Sequence, residues 1–136
     1  MSMPTEFELT FTGSTKNLLA ALAVLAEHEV NLNTIDTRKV GDNFIVKFIT
    51  GSEEEVRRSF MKADLRFKDR RVLVVEMQNK PGQWLKVADG LVGAGVEIEA
   101  SYMLSQKGDK QSFVFAVSDY QKARAICGKL GECSID

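Results

Sequence analysis

Residues 72–98 read VLVVEMQNKPGQWLKVADGLVGAGVEI, and their pattern decides the fold. The run opens with a strand of period two, on which Leu73, Val75 and Met77 share one face. A Pro-Gly turn follows at the mouth of a helix. The helix has an apolar stripe at helical spacing, made of Trp84, Leu85, Ala88, Leu91 and Val92. The segment therefore predicts a strand, a turn and a helix in that order.

The same pattern occurs 66 positions earlier in the chain. The run FELTFT at residues 7–12 carries Phe7, Leu9 and Phe11 on one strand face. The helix stripe has its counterparts in Leu18, Leu19, Leu22, Leu25 and Ala26, and Val96 corresponds to Val30. An offset of 66 positions that holds over the strand, the helix and the valine after the helix indicates an internal repeat.

Each half continues with a hairpin, a second helix and a last short strand. In the first half these segments are 31–40, 43–49, 53–61 and 64–68. In the second half they are 97–106, 112–117, 120–130 and 132–136, with a hairpin about three residues longer. Ser52 and Asp119 are expected to cap the second helices.

The element order βαββαβ, present twice, predicts an α+β protein of two tandem ferredoxin-like modules. Each module would be an antiparallel sheet with helices on one face. We place the modules at residues 1–69 and 70–136, and the last strand of the second is expected to be short or missing. The charged joint KDRR, residues 68–71, is too short for a free linker, which predicts that the halves pack closely.

The second face of each sheet is also partly apolar. Val72, Val74, Ile45 and Ile49 point opposite to the positions that face the helices. Left in water they would form part of a patch that favours association. We therefore expect these faces to pack against another chain or another sheet.

Composition excludes several classes of protein. The 18 basic and 19 acidic residues leave a net charge of -1, without the basic excess of a nucleic-acid binder. No apolar run could span a bilayer, and the N-terminus does not resemble a secretory signal. Cys127 and Cys133 match no metal-ligand spacing and no disulfide framework, which is typical of the reducing cytoplasm. We expect neither a metal nor a cofactor.

The stretch from Asn79 to Leu85 has features of an anion site. Pro81 is expected at the first helical position and Gly82 lets the backbone approach another group closely. The N–H groups of residues 83–85 would then point outward at a helix N-terminus, which suits a carboxylate or phosphate. Taken alone, the segment also fits a helix that simply starts with proline.

Within its repeat, this stretch resembles the ACT domain, an amino-acid-sensing regulatory module. The resemblance is carried by N79-K80-P81-G82 before the second helix, G95-V96-E97-I98 after it, and E29-V30-N31-L32 in the first half. It covers nearly the whole chain as two copies. It implies a regulatory protein that binds a small ligand, often an amino acid, between two modules, and that acts as a homodimer or through a partner.

The ACT pattern has an Asn or Asp in the loop before the helix and an Asn after the helix, and each copy here keeps only one of the two. The second copy has Asn79 where the first has Gly13. The first copy has Asn31 where the second has Glu97. We predict one working site from the helix-start loop of one module and the second strand of the other. Its residues are Asn31, Leu32, Asn79, Pro81, Gly82, Gln83, Trp84 and Leu85. A degenerate second site would combine Gly13, Ser14, Thr15 and Glu97.

The sequence offers three alternatives to this function. RNA-recognition modules share the βαββαβ order, but the register turns Phe113 and Phe115 toward the helices rather than the open face. His28 is the only histidine and has no nucleophile or carboxylate pair at usable spacing, so we expect no enzyme activity. A ligand-free adaptor is the main alternative. The sequence leaves open which amino acid binds, what partner is regulated and the oligomeric state.

Overall fold

The computed structural model describes residues 4–130 and 132–134. They form two compact units. The first unit, Thr5–Arg70, is called the N-terminal module. The second, called the C-terminal module, runs from Arg71 to Ser134 and includes Pro4.

The N-terminal module is a four-stranded sheet with two helices. Its elements are β1 Thr5–Thr12, α1 Thr15–Glu27, β2 Thr34–Val40, β3 Asn43–Ile49, α2 Glu53–Lys62 and β4 Lys68–Arg71. The strand order is β2-β3-β1-β4. This is the ferredoxin-like arrangement predicted from the element order.

The C-terminal module repeats this architecture. Its elements are β5 Leu73–Gln78, α3 Gln83–Gly93, β6 Ile98–Lys107, β7 Lys110–Val117, α4 Tyr120–Leu130 and β8 Glu132–Ser134. The strand order is β6-β7-β5-β8. The prediction of an α+β protein with two antiparallel sheets is confirmed, and β8 is the short strand expected in the second half.

Each module has its own core between sheet and helices. In the N-terminal module Phe7 lies opposite Phe48 on the adjacent strand, and both are fully buried. In the C-terminal module Leu73 lies opposite Phe115 in the same way. Fully burying one such side chain contributes about 1.5–3 kcal/mol. The period-two apolar positions therefore hold each sheet against its helices.

Hydrogen bonds repeat along with the fold. The Val30 N–H donates to the Leu25 carbonyl at 3.0 Å, and the Val96 N–H donates to the Leu91 carbonyl at the same distance. Both bonds close the C-terminus of the first helix of a module and turn the chain toward the next strand. The repeat read from the sequence thus extends to backbone geometry.

The predicted helix stripes are wrong at their edges. Leu19, Leu85 and Val92 are 60%, 66% and 61% exposed. Ala26 is exposed as well. The stripes are buried instead at Leu18, Ala21 and Leu25 in α1 and at Val87, Ala88 and Leu91 in α3. A helix lying on one sheet face buries a stripe only about 100° wide, so the outer apolar positions stay in solvent.

The last strand of the first half lies later than predicted. It was expected at 64–68 but forms at Lys68–Arg71, in the segment read as the joint. Asp64 has φ 56°, in the left-handed region, and the Leu65 N–H closes α2 by donating to the Phe60 carbonyl at 2.9 Å. The chain therefore completes a helix end before it can extend.

Some apolar positions on the second face of each sheet are buried. Val72, Val74 and Ile49 are buried and Ile45 is half-buried, while their packing against another chain or another sheet stays a prediction. Val114 and Ala116, on β7, are also fully buried. Apolar positions on both faces are therefore part of the folded interior.

The expectation that the two cysteines form no disulfide is wrong. Cys127 and Cys133 are joined by a disulfide, with their Cα atoms 5.9 Å apart. The reason is that β8 returns antiparallel to β5 beside α4, which brings Cys133 to the buried Cys127. The inference of a reducing compartment from cysteine usage loses its basis.

The predicted caps of the second helices have different outcomes. The Asp119 Oδ1 accepts a hydrogen bond from the Lys122 N–H at 3.0 Å, as an N-cap should. Ser52 occupies the N-cap of α2 without a side-chain cap bond, and its N–H donates to Thr50 Oγ1 at 3.1 Å. None of the helices in the described ranges has the length and apolar content that crossing a membrane requires.

Candidate functional site

The loop before α3 is held by backbone hydrogen bonds. The Asn79 N–H donates to the Asp109 carbonyl in the β6–β7 turn at 2.7 Å. The Lys80 N–H donates to the Gln78 carbonyl at 2.9 Å, and the Gln83 N–H donates to the Lys80 carbonyl at 3.3 Å. The loop from Asn79 to Gly82 is therefore a fixed turn whose position depends on the neighbouring hairpin.

The helix starts later than the sequence predicted. Pro81 was expected at the first helical position, but α3 begins at Gln83 and Gly82 is its N-cap. Gly82 has φ 82°, a left-handed conformation that suits glycine and that a helix residue does not adopt. The Gln83 N–H is already used within the loop. Trp84 and Leu85 then hold the next N–H groups that lack an acceptor within the helix.

The space above the loop is open. A Cβ atom built on Gly82 would meet nothing within 4 Å. Asn79, Pro81 and Gly82 are exposed, and Gln83 is half-buried. Another molecule can therefore approach the backbone here without displacing part of the module.

Trp84 fastens the start of α3 to the sheet. Its ring stacks on Phe115 with centroids 5.8 Å apart, and its Nε1–H donates to Ser101 Oγ on β6 at 3.0 Å. The indole is 38% exposed, and the neighbouring Leu85 is largely exposed. The first turn of α3 thus combines a fixed aromatic ring with free apolar surface beside the loop.

The corresponding loop of the N-terminal module is built differently. Gly13 has φ 112°, and its N–H donates to the Asp42 carbonyl at 3.1 Å, as Asn79 does to Asp109. Here α1 begins at Thr15, directly after its N-cap Ser14. Asn17 Nδ2 lies 3.0 Å from the Cβ position of Gly13. The backbone at Gly13, the counterpart of Asn79, is therefore closed off by a neighbouring side chain.

The residues after the first helices are anchored through their backbones. The Asn31 carbonyl accepts a hydrogen bond from Thr50 Oγ1 at 2.5 Å. The Glu97 N–H donates to Ser118 Oγ, and its carbonyl accepts from the Ser118 N–H, both at 2.9 Å. The side chains of Asn31 and Glu97 are exposed, and Leu32 is about one-third exposed. These side chains are free to meet a ligand.

A single module does not bring the two motifs together. In the C-terminal module Asn79 precedes α3 and Glu97 follows it, so the 11-residue helix separates them by about 16 Å. In the N-terminal module α1 separates Gly13 from Asn31 in the same manner. A site that uses both motifs requires two modules, and the combination of Asn79 with Asn31 stays a prediction.

Sequence reasoning missed three residues that shape this region. Asp109 receives the Asn79 hydrogen bond, Ser101 receives the Trp84 hydrogen bond, and Phe115 supports the indole ring. The signal available for Asp109 was the Gly-Asp pair shared by both hairpin turns, at residues 41–42 and 108–109.

Phe113, Phe115 and His28 are the residues on which other kinds of site would depend. Phe113 and Phe115 pack in the core of the C-terminal module, so they do not form an open-face platform for nucleic-acid bases. His28 ends α1 with its Nδ1 at 2.8 Å from the Val24 carbonyl. Within residues 4–130 and 132–134, no cluster of three or more His, Cys, Asp or Glu side chains is arranged to hold a metal.

Solved structures share this fold over nearly the whole chain. A protein of Bacteroides thetaiotaomicron, BT0572, superposes with a TM-score of 0.85 at 18% identity, covering 96% of this chain and 90% of its own. The ligand-free regulatory subunit of aspartate kinase from Thermus thermophilus has a TM-score of 0.66 at 14% identity, with 94% and 90% coverage. The regulatory subunit of aspartate kinase from Thermus flavus has a TM-score of 0.60 at 12% identity, with 94% and 92% coverage.

The fold is therefore ACT-like, as the resemblance in the sequence implied. No family profile and no curated protein sequence matches this chain.

Proposed function

We propose that this chain is a regulatory protein that binds a small molecule, an amino acid in particular, between two ACT-like modules. The predicted site combines the loop before α3 in one module with the start of the second strand in another. Asn79 and Asn31 would hold the polar head of the ligand. The free N–H groups at the start of α3 would receive its carboxylate.

The loop at Asn79–Gly82 carries this proposal. It is held by backbone hydrogen bonds, is exposed and is open above Gly82, and it stands beside a helix N-terminus whose N–H groups favour an anion. The side chain of a bound amino acid would gain apolar contact by burying Trp84 and Leu85 further. These features suit a ligand with a carboxylate and an apolar part.

The comparisons support the regulatory part of the proposal. Two of the proteins with this fold are regulatory subunits of aspartate kinase. We infer that this chain has no catalysis of its own and acts through a homodimer or a separate partner. Ligand binding would shift whichever packing of modules binds it better, by no more than the difference in affinity.

A thermal-shift panel of the common amino acids tests the function. At a hundredfold excess over Kd a specific ligand should stabilise the fold by about 2.7 kcal/mol. Stabilisation confined to one amino acid or one chemical class supports the proposal. A flat panel contradicts it and favours the ligand-free adaptor.

Two variants test the site itself. Asn79→Ala should weaken binding of the identified amino acid by about tenfold or more, because a hydrogen bond to a charged group is lost. Ser14→Ala, in the corresponding loop of the N-terminal module, should leave the affinity unchanged because Ser14 lies outside the predicted working site, and the substitution removes no side-chain cap bond. Calorimetry should give one site per chain. Two equal sites would contradict the predicted asymmetry.

A further inference from the structure

A cavity in the N-terminal module lies beside β1 and the segment that leads into β4. It has a volume of about 310 Å³ and is lined by Glu8, Thr10, Arg66, Phe67 and Lys68. None of these residues belongs to the predicted site. Arg66 and Phe67 precede β4, so they reach the neighbourhood of β1 before regular strand pairing begins at Lys68. The volume is within the range that holds small ligands.

The aromatic wall of this cavity is fixed. The Phe67 ring packs against Phe7 at 5.9 Å and against Phe60 at 5.6 Å between centroids. Phe7 and Phe60 are fully buried core residues. The half-buried Phe67 therefore presents an apolar surface that does not have to reorganise when a ligand arrives.

The charges around the cavity favour an anion. Arg66 and Lys68 are exposed and make no ion pair with any residue in the described ranges. The Glu8 carboxylate is already engaged, since Lys47 Nζ lies 3.7 Å from its Oε1. Two uncompensated cations therefore remain, together with the Thr10 hydroxyl as a hydrogen-bond donor.

A second cavity extends the same groove. Its volume is about 240 Å³, and it shares Glu8 and Lys68 with the first. Its other lining residues are Glu6, Asp69 and Arg70. Asp69 is paired with Arg57, and Glu6 and Arg70 also have partners. The free positive charge is thus concentrated at the Arg66 end of the groove.

We propose that this groove is a second ligand site, which takes a small organic oxyanion. The guanidinium of Arg66 and the ammonium of Lys68 hold the carboxylate or phosphate group, and Thr10 donates a further hydrogen bond. The body of the ligand lies on Phe67. The site belongs to the N-terminal module alone and does not depend on the proposed amino-acid site.

Amide chemical-shift titrations of the full chain test this site, with inorganic phosphate and benzoate as separate probes at constant ionic strength. Saturable shifts are expected at residues 8–10 and 66–68. Replacing both cations, Arg66→Gln with Lys68→Gln, should weaken binding by about tenfold or more. The matched control removes two cations from α2, Arg58→Gln with Lys62→Gln, and should bind as the original chain does.

The outcomes separate the sources of the anion. Saturation by phosphate alone identifies a phosphorylated ligand, and saturation by benzoate alone identifies a carboxylate on a planar body. Saturation by both supports the shared oxyanion chemistry. Shifts that do not saturate with either probe, or a loss of affinity of the same size in both double variants, would overturn the proposal. Unchanged shifts in α1 and β3, which belong to the same module but carry no substitution, verify that the N-terminal module of the double variants remains folded.

Discussion

The two sheets follow the same chain path but have opposite chemistry on the face away from the helices. In the N-terminal module Asp36, Lys47 and Glu8 lie side by side across β2, β3 and β1. The equivalent row in the C-terminal module is Tyr102, Val114 and Val74 across β6, β7 and β5. The comparison shows that only the helix-facing positions are constrained by the fold, while the second face can become either charged or apolar.

Exchanging charged and apolar residues between these two rows should have the largest effect on the unfolding free energy. Val114→Asp places a charge at a fully buried position without a partner, and should cost about 4 kcal/mol of unfolding free energy. The reciprocal change Lys47→Val, at a half-buried position, should cost less than about 1 kcal/mol. Urea denaturation measures both. Similar costs for the two would show that the faces are not as different as their burial indicates.

Truncating a helix-facing side chain should cost the same unfolding free energy in the two modules. Leu25→Ala in α1 and Leu91→Ala in α3 each remove a buried side chain from an equivalent position, and each should cost about 3 kcal/mol. The same denaturation experiment measures them. A difference of more than about 2 kcal/mol between the variants would mean that the two cores are not packed equivalently.

Substitutions at the starts of α1 and α3 should differ in their cost to stability, because the backbone conformations at these two places are different. Gly82→Ala forces a side chain into the left-handed region and should cost about 1–2 kcal/mol, without any steric contribution because the space is open. Position 16 is its counterpart in the repeat and lies within α1, so Lys16→Ala should change stability by less than about 0.5 kcal/mol. Equal stability of Gly82→Ala and the original chain would contradict the assigned conformation.

The smallest expected effect concerns the indole hydrogen bond. Trp84→Phe keeps an aromatic ring near Phe115 but removes the donor to Ser101, which should cost about 1 kcal/mol. A double-mutant cycle with Ser101→Ala isolates this bond from the change in ring size. Zero coupling between the two substitutions would show that the bond contributes nothing to stability.

Much of the fold follows from local periodicity in the sequence. Phe7 and Leu9, or Leu73 and Val75, alternate along a strand, and Leu25 and its helix neighbours recur at helical spacing. These patterns were sufficient for the element order, the repeat and the helix-facing core. They misplaced Leu19 and Leu85 because a stripe's edge depends on how the helix lies on the sheet, not on its sequence alone.

The candidate site was predictable to a lesser extent. The motif N79-K80-P81-G82 marked the loop, but the left-handed Gly82 and the later helix start were not visible in it. Neither was the Asn79–Asp109 hydrogen bond, which joins segments 30 residues apart. Loop geometry depends on the neighbouring hairpin and therefore appears only once the sheet is formed.

The sequence by itself determined two copies of one α+β module, because strand and helix periods are local properties of the chain. Tertiary structure decided the pairing of Cys127 with Cys133 and the attachment of Trp84 to Ser101. It also decided which apolar side chains are buried on the second face of each sheet. Those outcomes depend on contacts between segments that are distant in sequence or on different elements, so the local pattern does not contain them.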